Sequence, residues 1–173
     1  MSAALALVAA LATGCATSVR DTAPAPFGPT SGASSGPATP SPPGLPLGNA
    51  APADNGQVEA TVLEYRQPLA GDPPAGTVWG GADVQVCAHR TAIFEVSISR
   101  GPWVLLARDG RAIAPTLVVD PRFPQPAYPT EHRRLQPGEC ARGWIVFAVP
   151  AGARPGAVQY TPVGAQPVTW TVR

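Results

Sequence analysis

Proline and glycine interrupt most of this chain so often that long helices are excluded there. The 173 residues include 23 Pro and 18 Gly, and a proline inside a helix removes a hydrogen bond and clashes with the preceding turn. No window shows helical periodicity flanked by capping residues. From Val58 onward, apolar residues alternate with polar ones between Pro/Gly turns, which is the pattern of half-buried β-strands. The sequence therefore predicts a fold made of short strands.

Several segments carry the strand pattern. Residues 83–89 alternate strictly, and residues 103–107 and 144–149 are continuous apolar runs. Asp109-Gly110 between strand-like runs indicates a hairpin, and Pro137-Gly138 marks another turn. Further strands are predicted at residues 58–65, 94–98, 157–160 and 168–172. We predict an all-β, two-sheet β-sandwich of about seven or eight strands.

The first fifteen residues have the character of an export signal. Residues 3–12 are an uncharged apolar run, too short to span a bilayer but suited to the apolar region of a signal peptide. The segment 11–15, LATGC, resembles the lipobox of bacterial lipoproteins, in which the cysteine is acylated and becomes the new N-terminus. We predict a lipoprotein signal peptide at residues 1–14, shortened by a start codon assigned too far downstream, and lipidation of Cys15. Alternatives are a secretory signal without lipid, or a buried apolar helix with a plain thiol at Cys15.

The segment that follows is built from Pro, Ala, Ser, Thr and Gly and has almost no charge. Such a segment buries too little apolar surface to offset the entropy lost on ordering. We predict a disordered tether over residues 15–57, starting at the lipidated Cys15, and a folded domain over residues 58–173. The predicted location is the outer face of the cytoplasmic membrane, anchored by lipid; in the alternative the protein is secreted.

The predicted domain resembles a family of bacterial secreted domains, domain-of-unknown-function family 4352. The resemblance rests on strand ends and turns in a fixed order: GPWVL at 101–105 with RDGR at 108–111, LQPGE at 135–139 leading into GWIVFAVP at 143–150, and VQY at 158–160 before VTW at 168–170. It covers residues 58–172. It implies an immunoglobulin-like sandwich in an extracytoplasmic setting, and it implies no activity.

Two cysteines, Cys87 and Cys140, remain once Cys15 is set aside. An even pair in an oxidising compartment favours a disulfide. In an alternating strand, Cys87 points to the same face as Asp83 and to the opposite face from Val84. It is therefore expected to face away from the apolar side of the strand. We therefore predict a disulfide at the edge of the sandwich rather than one that links the two sheets through the core. The alternative, a redox-active or metal-binding pair, lacks C-x-x-C spacing.

Charge and motif content exclude several function classes. The 12 basic residues are all arginine and face 11 acidic ones, a net charge of +1, which argues against a nucleic-acid binder. No hydrolase, zinc-protease, phosphate-loop or dinucleotide motif is present. His89 and His132 have the setting of solvated loop residues. We predict no catalytic residue, no metal and no cofactor; an enzyme with an unrecognised site is the remaining alternative.

Two surface features are candidates for binding. The proline-rich loop 120–129 holds Phe123 and Tyr128, which could contact a partner or stack on a sugar if exposed; alternatively they close over one end of the sandwich. Arg133 and Arg134, together with Arg90 and Arg100, could form a basic patch toward anionic polymer or lipid, or a solvated rim. The candidate binding residues are Arg122, Phe123, Tyr128, Arg133 and Arg134.

The sequence as a whole predicts a non-enzymatic, membrane-anchored extracytoplasmic lipoprotein. Its immunoglobulin-like domain is expected to present loops to a protein or cell-wall partner whose identity the sequence does not give. The alternative is a small-ligand or glycan-binding module that uses the loop aromatics.

Overall fold

The structure is a computed structural model that describes residues 44–173. These residues form an all-β sandwich with ten strands and a single 3₁₀ turn at Asp54–Gly56, which confirms the predicted fold class. The strands are β1 (Ala50–Ala53), β2 (Val58–Arg66), β3 (Thr77–Ala88), β4 (Val96–Ile98), β5 (Trp103–Ala107), β6 (Ala112–Ile113), β7 (Arg133–Leu135), β8 (Cys140–Pro150), β9 (Pro155–Tyr160) and β10 (Val168–Thr171). Residues 44–173 contain no helix of the length and apolarity needed to cross a membrane.

The strands form two four-stranded sheets and one two-stranded ribbon. The first sheet has the order β1-β2-β3-β8 and the second the order β10-β9-β5-β6, while β4 pairs with β7. All of these pairings are antiparallel. The two predicted turns are present, since Gly110 and Gly138 adopt φ of +85° and +83°. Glycine suits both positions because it has no Cβ to oppose a positive φ.

The main core lies between the two four-stranded sheets. Strand periodicity places Val84 and Phe147 of the first sheet inward, where both are fully buried. From the second sheet, Trp103 packs against Tyr160 and Trp170, with ring centroids 4.4 Å and 6.0 Å away. This aromatic group supplies much of the core volume in a chain whose other buried residues are mainly Ala and Val.

A second, smaller cluster covers the outer face of the first sheet. Trp79 of β3 and Val146 of β8 point outward there and are buried by Phe123. The Trp79 and Phe123 rings meet edge to face with centroids 5.4 Å apart. The loop between β6 and β7 therefore folds back over the sheet instead of extending into solvent.

The folded domain begins earlier than Val58, so the predicted boundary at that residue is wrong. The backbone of Leu45 exchanges hydrogen bonds with the end of β10, and Trp170 donates its indole N–H to the carbonyl of Asn49 at 2.7 Å. The first strand pairs with β2 through Ala/Pro backbone and buries only Ala51 and Ala53. Residues 1–43, with the predicted signal peptide, Cys15 and most of the predicted tether, lie outside the described residues.

Candidate functional site

The two loop aromatics considered for binding, Phe123 and Tyr128, are buried. Phe123 is 7% exposed and Tyr128 is 2% exposed. Phe123 covers Trp79 on the outer face of the first sheet, whereas Tyr128 enters the main core and meets Trp103 edge to face at 6.2 Å. The backbone N–H of Tyr128 bonds the carbonyl of Trp144 on β8, which holds this part of the loop against the sheet. Of the two alternatives for these rings, exposure to a ligand or closure over the sandwich, the structure therefore agrees with closure.

Arg122, from the same loop, links two chain segments through hydrogen bonds. Its guanidinium donates to Asp120 at 2.7 Å and to Asp72 at 2.8 Å. The side-chain hydrogen bonds from Arg122, together with its backbone N–H, hold the pKa of Asp120 below its usual value. Arg122 thus ties residues 120–123 to the loop before β3 and has its charge already matched.

The arginines around Arg133 and Arg134, considered as a basic patch or a solvated rim, are partly neutralised. Arg133 forms an ion pair with Glu139 at 2.6 Å, and Arg134 forms a longer one with Glu95 at 3.5 Å. Arg100 donates to a backbone carbonyl at 2.8 Å. Two of the four arginines therefore have acidic partners, which halves the net positive charge that the patch offers to an anionic ligand.

The predicted disulfide is confirmed. Cys87 of β3 and Cys140 of β8 are directly opposite in the strand register, with Cα atoms 4.0 Å apart and the sulfurs bonded. Cys140 is exposed and Cys87 half-buried, because both face away from the main core. The bond therefore joins neighbouring strands of one sheet at its edge and does not pin the two sheets together.

The two histidines have only hydroxyl partners. His89 Nδ1 lies 2.7 Å from Thr91 Oγ1, and His132 Nδ1 lies 3.2 Å from Ser97 Oγ. Within residues 44–173, no carboxylate approaches either ring within 4.0 Å, and no three His, Cys, Asp or Glu side chains gather as a metal-ligand set. In this part of the chain the Ser97–His132 pair therefore has no orienting acid of the kind a hydrolase triad uses.

A different set of arginines lines an open cleft of about 580 Å³ at one end of the sandwich. Arg108, Arg154 and Arg173 form one side, and Tyr65 and Val78 of the first sheet form the other. We call this feature the arginine cleft. None of its three arginines was among the residues predicted to bind a ligand.

The sheet topology brings the three arginines together. Arg108 follows β5, Arg154 precedes β9 and Arg173 lies just beyond β10, and these three strands are neighbours in the second sheet. The backbone N–H of Arg108 bonds the carbonyl of Arg154, and that of Val172 bonds the carbonyl of Gly156, both at 2.9 Å. The side chain of Arg108 passes over Gly156, where a Cβ would lie 3.2 Å from its Cγ. The arginines thus form a row across the end of the sheet.

The charge of this row is not balanced locally. Among residues 44–173, no carboxylate lies within 4.0 Å of the side-chain nitrogens of Arg108, Arg154 or Arg173. The nearest acid in sequence, Asp109, is bonded to Arg111 at 2.8 Å. Guanidinium groups bind phosphate and carboxylate oxygens through paired N–H donors. The row therefore has the chemistry of an anion-binding site.

The wall opposite the arginines is neutral and largely apolar. Tyr65 donates its hydroxyl to the side-chain carbonyl of Gln67 at 2.6 Å, and burial raises the pKa of Tyr65, which keeps it uncharged at neutral pH. A Cβ at Gly80 would collide with this hydroxyl, so glycine in β3 makes room for the Tyr65 side chain. Val78 and Pro68 complete the wall. The cleft thus pairs a cationic row with an apolar face.

Sequence reasoning missed the arginine cleft because its parts are far apart in the chain. Each arginine by itself has the setting of a solvated turn residue. The available signal was that two of them, Arg108 and Arg173, directly follow predicted strands. It became informative only with the strand order, which places β5, β9 and β10 side by side.

Comparisons with known proteins show the fold and leave the family open. The sequence matches no family model and no curated protein, so membership of family 4352 is not confirmed. Among solved structures, MPT63, a secreted protein of Mycobacterium tuberculosis, is similar over 78% of this chain and all of its own, with 18% identity and a TM-score of 0.55. A candidate lipoprotein of Bacillus subtilis is similar over 66% of this chain and 36% of its own, with 13% identity and a TM-score of 0.49.

Proposed function

We propose that the protein is a non-enzymatic, lipid-anchored extracytoplasmic domain that binds an anionic component of the cell envelope through the arginine cleft. One observation carries the proposal: Arg108, Arg154 and Arg173 line one cleft, and no carboxylate of residues 44–173 pairs with them. An unpaired row of cations raises the local concentration of anionic ligands and speeds their association.

The extracytoplasmic part of the proposal is supported by the disulfide and the N-terminal sequence. A bond between Cys87 and the exposed Cys140 would be reduced in most cytosols and persists in oxidising compartments. The apolar run before Cys15 has the features of a lipoprotein signal. MPT63, which has a similar fold, is itself a secreted protein.

A protein partner is the second candidate, favoured by exposed apolar side chains. Leu117 and Val119 are 78% and 86% exposed in the loop after β6, and Ile93 and Phe94 are exposed before β4. Apolar side chains gathered on a surface can mark a protein-binding site. The glycan-binding alternative has lost its basis, since Phe123 and Tyr128 are buried.

Cosedimentation with isolated bacterial envelope tests the proposed function. The exported chain carrying Cys15→Ser, which has no thiol to acylate, is expected to sediment with the envelope at about 50 mM salt and to be released at about 500 mM, because salt screens exposed charges. Replacing Arg108, Arg154 and Arg173 together by Gln should abolish sedimentation.

Arg90→Gln is the matched control. Arg90 also has no ion pair in residues 44–173, but it lies beyond the far end of β3 from the arginine cleft. If the triple variant and the Arg90→Gln variant sediment with the envelope to the same extent, a role for the cleft is overturned. Sedimentation with the envelope that does not change with salt would favour binding of a protein partner through the exposed apolar loops.

A further inference from the structure

We propose that the ligand of the arginine cleft is a phosphodiester lipid, held with its phosphate on the arginine row and the first part of its chain against the apolar wall. This inference rests on the proposed function, because it names the anionic component that the cleft binds. Two features carry it: the charge of the row and the apolar face opposite.

The arginine row fits a phosphate group. Arg108, Arg154 and Arg173 come from three neighbouring strand ends, so their guanidinium groups approach a ligand from adjacent positions along one side. A phosphodiester has two unesterified oxygens that share one negative charge, and guanidinium forks hydrogen-bond such oxygens in pairs. Two arginines can hold the diester and leave the third for a neighbouring polar group of the same headgroup.

The size and lining of the cleft fit a ligand that is larger than a free phosphate ion and partly apolar. Its volume of about 580 Å³ falls in the range of small-molecule binding sites. Its apolar lining includes Val78 of the first sheet, Pro155 of the second and Pro68 just after β2. A phosphate ion on the arginines would leave these apolar groups in water. A short length of hydrocarbon would cover them and gain the free energy of removing apolar surface from water.

Calorimetric titration with short-chain lipids below their micelle concentration tests the inference. The exported Cys15→Ser chain should bind dihexanoyl phosphatidylglycerol at least about tenfold more tightly than glycerophosphoglycerol, which has the same phosphodiester and no acyl chains. It should also prefer that lipid about tenfold over dihexanoyl phosphatidylcholine, whose headgroup has no net charge. Arg154→Gln should weaken binding of the anionic lipid about tenfold, the size expected for a lost charge-assisted hydrogen bond.

Two variants separate the halves of the site. Val78→Thr places a hydroxyl in the apolar wall and should weaken the lipid without changing glycerophosphoglycerol, whereas Arg90→Gln should change neither. Thermal unfolding of each variant shows that the fold is kept. Equal affinity for the lipid and for glycerophosphoglycerol would overturn the lipid assignment and leave anion binding intact. Equal affinity for the two lipids, or binding of none of the three ligands, would also overturn it, and envelope sedimentation then decides the proposed function separately.

Discussion

At the scale of single residues, Gly143 decides which segment can cover the edge strand β8. A Cβ at this position would meet the backbone of Ala127, with its carbonyl carbon at 2.5 Å and oxygen at 2.7 Å. That backbone cannot retreat without losing the hydrogen bonds that join Tyr128 and Pro126 to Trp144, at 3.0 Å and 2.8 Å. Gly143→Ala should therefore lower the free energy of unfolding by about 1–3 kcal/mol, as overpacking does in other interiors. Urea denaturation measures the change.

Gly101→Ala is the control for that substitution. Gly101 is exposed, and the nearest atom to its added Cβ is Ser99 Oγ at 3.6 Å, an ordinary contact. Its replacement should change the free energy of unfolding by no more than about 0.5 kcal/mol. If the two alanine variants unfold at the same urea concentration, the segment 126–128 can move away from β8 at little cost.

At the scale of elements, the disulfide closes a long loop between two strands that are already paired. The β3–β8 ladder runs from the pair Thr77 and Pro150 to the pair Cys87 and Cys140 without a break. Replacing both cysteines by Ser should therefore leave the strand register intact. It should lower the free energy of unfolding by up to about 4 kcal/mol, because a loop of 53 residues is no longer closed in the unfolded chain.

Urea denaturation of the double Cys→Ser variant, beside the oxidised parent, measures this loss. Circular dichroism should show the same strand content for both proteins at low urea. A variant that is unfolded without urea would show that the bond is required for folding. An unchanged midpoint would show that the unfolded chain was not restricted by it.

Sequence pattern predicted most elements of the fold, and the exceptions have physical reasons. Strands such as β5 and β8 were found because each contains a continuous apolar run bounded by turn signals, which is typical of a buried strand. The first strand was missed because its Ala and Pro residues resemble a tether, although Ala51 and Ala53 are buried. The short β7 was missed because two of its three residues are exposed arginines.

The candidate site was less predictable than the fold. The disulfide followed from cysteine number and strand parity, which are local properties of the chain. Burial of Phe123 was one of two alternatives and could not be decided from the sequence, since it depends on how the loop after β6 returns to the outer face of the first sheet. The arginine cleft depends on strand order and on which cations already have partners, and neither is a property of one segment.

At the scale of the whole molecule, a near-neutral net charge hides an uneven distribution of charge. The 12 arginines are balanced by 11 acidic residues in number. In space, Arg66, Arg111, Arg122, Arg133, Arg134 and Arg142 form ion pairs, while Arg90, Arg100 and the three arginines of the cleft form none with residues 44–173. Exposed ion pairs add little stability, so the main effect of this pairing is on where unpaired positive charge remains, and most of it is concentrated at the end of the domain that holds the arginine cleft.

The location of the domain, and with it of the arginine cleft, depends on the predicted lipid anchor at Cys15. The intact mass of protein extracted from membranes tests for that anchor. We expect a polypeptide that begins at Cys15 and carries the added mass of two or three acyl chains. That number of acyl chains anchors a protein stably, whereas a single one does not. Alkylation without reductant should leave Cys87 and Cys140 unmodified, and reduction should make both available. Cys15→Ser should release the protein from the membrane at high salt, when the cleft is screened as well. An unprocessed chain starting at Met1 with three free thiols would place the protein in a reducing compartment and overturn both the anchor and the envelope role.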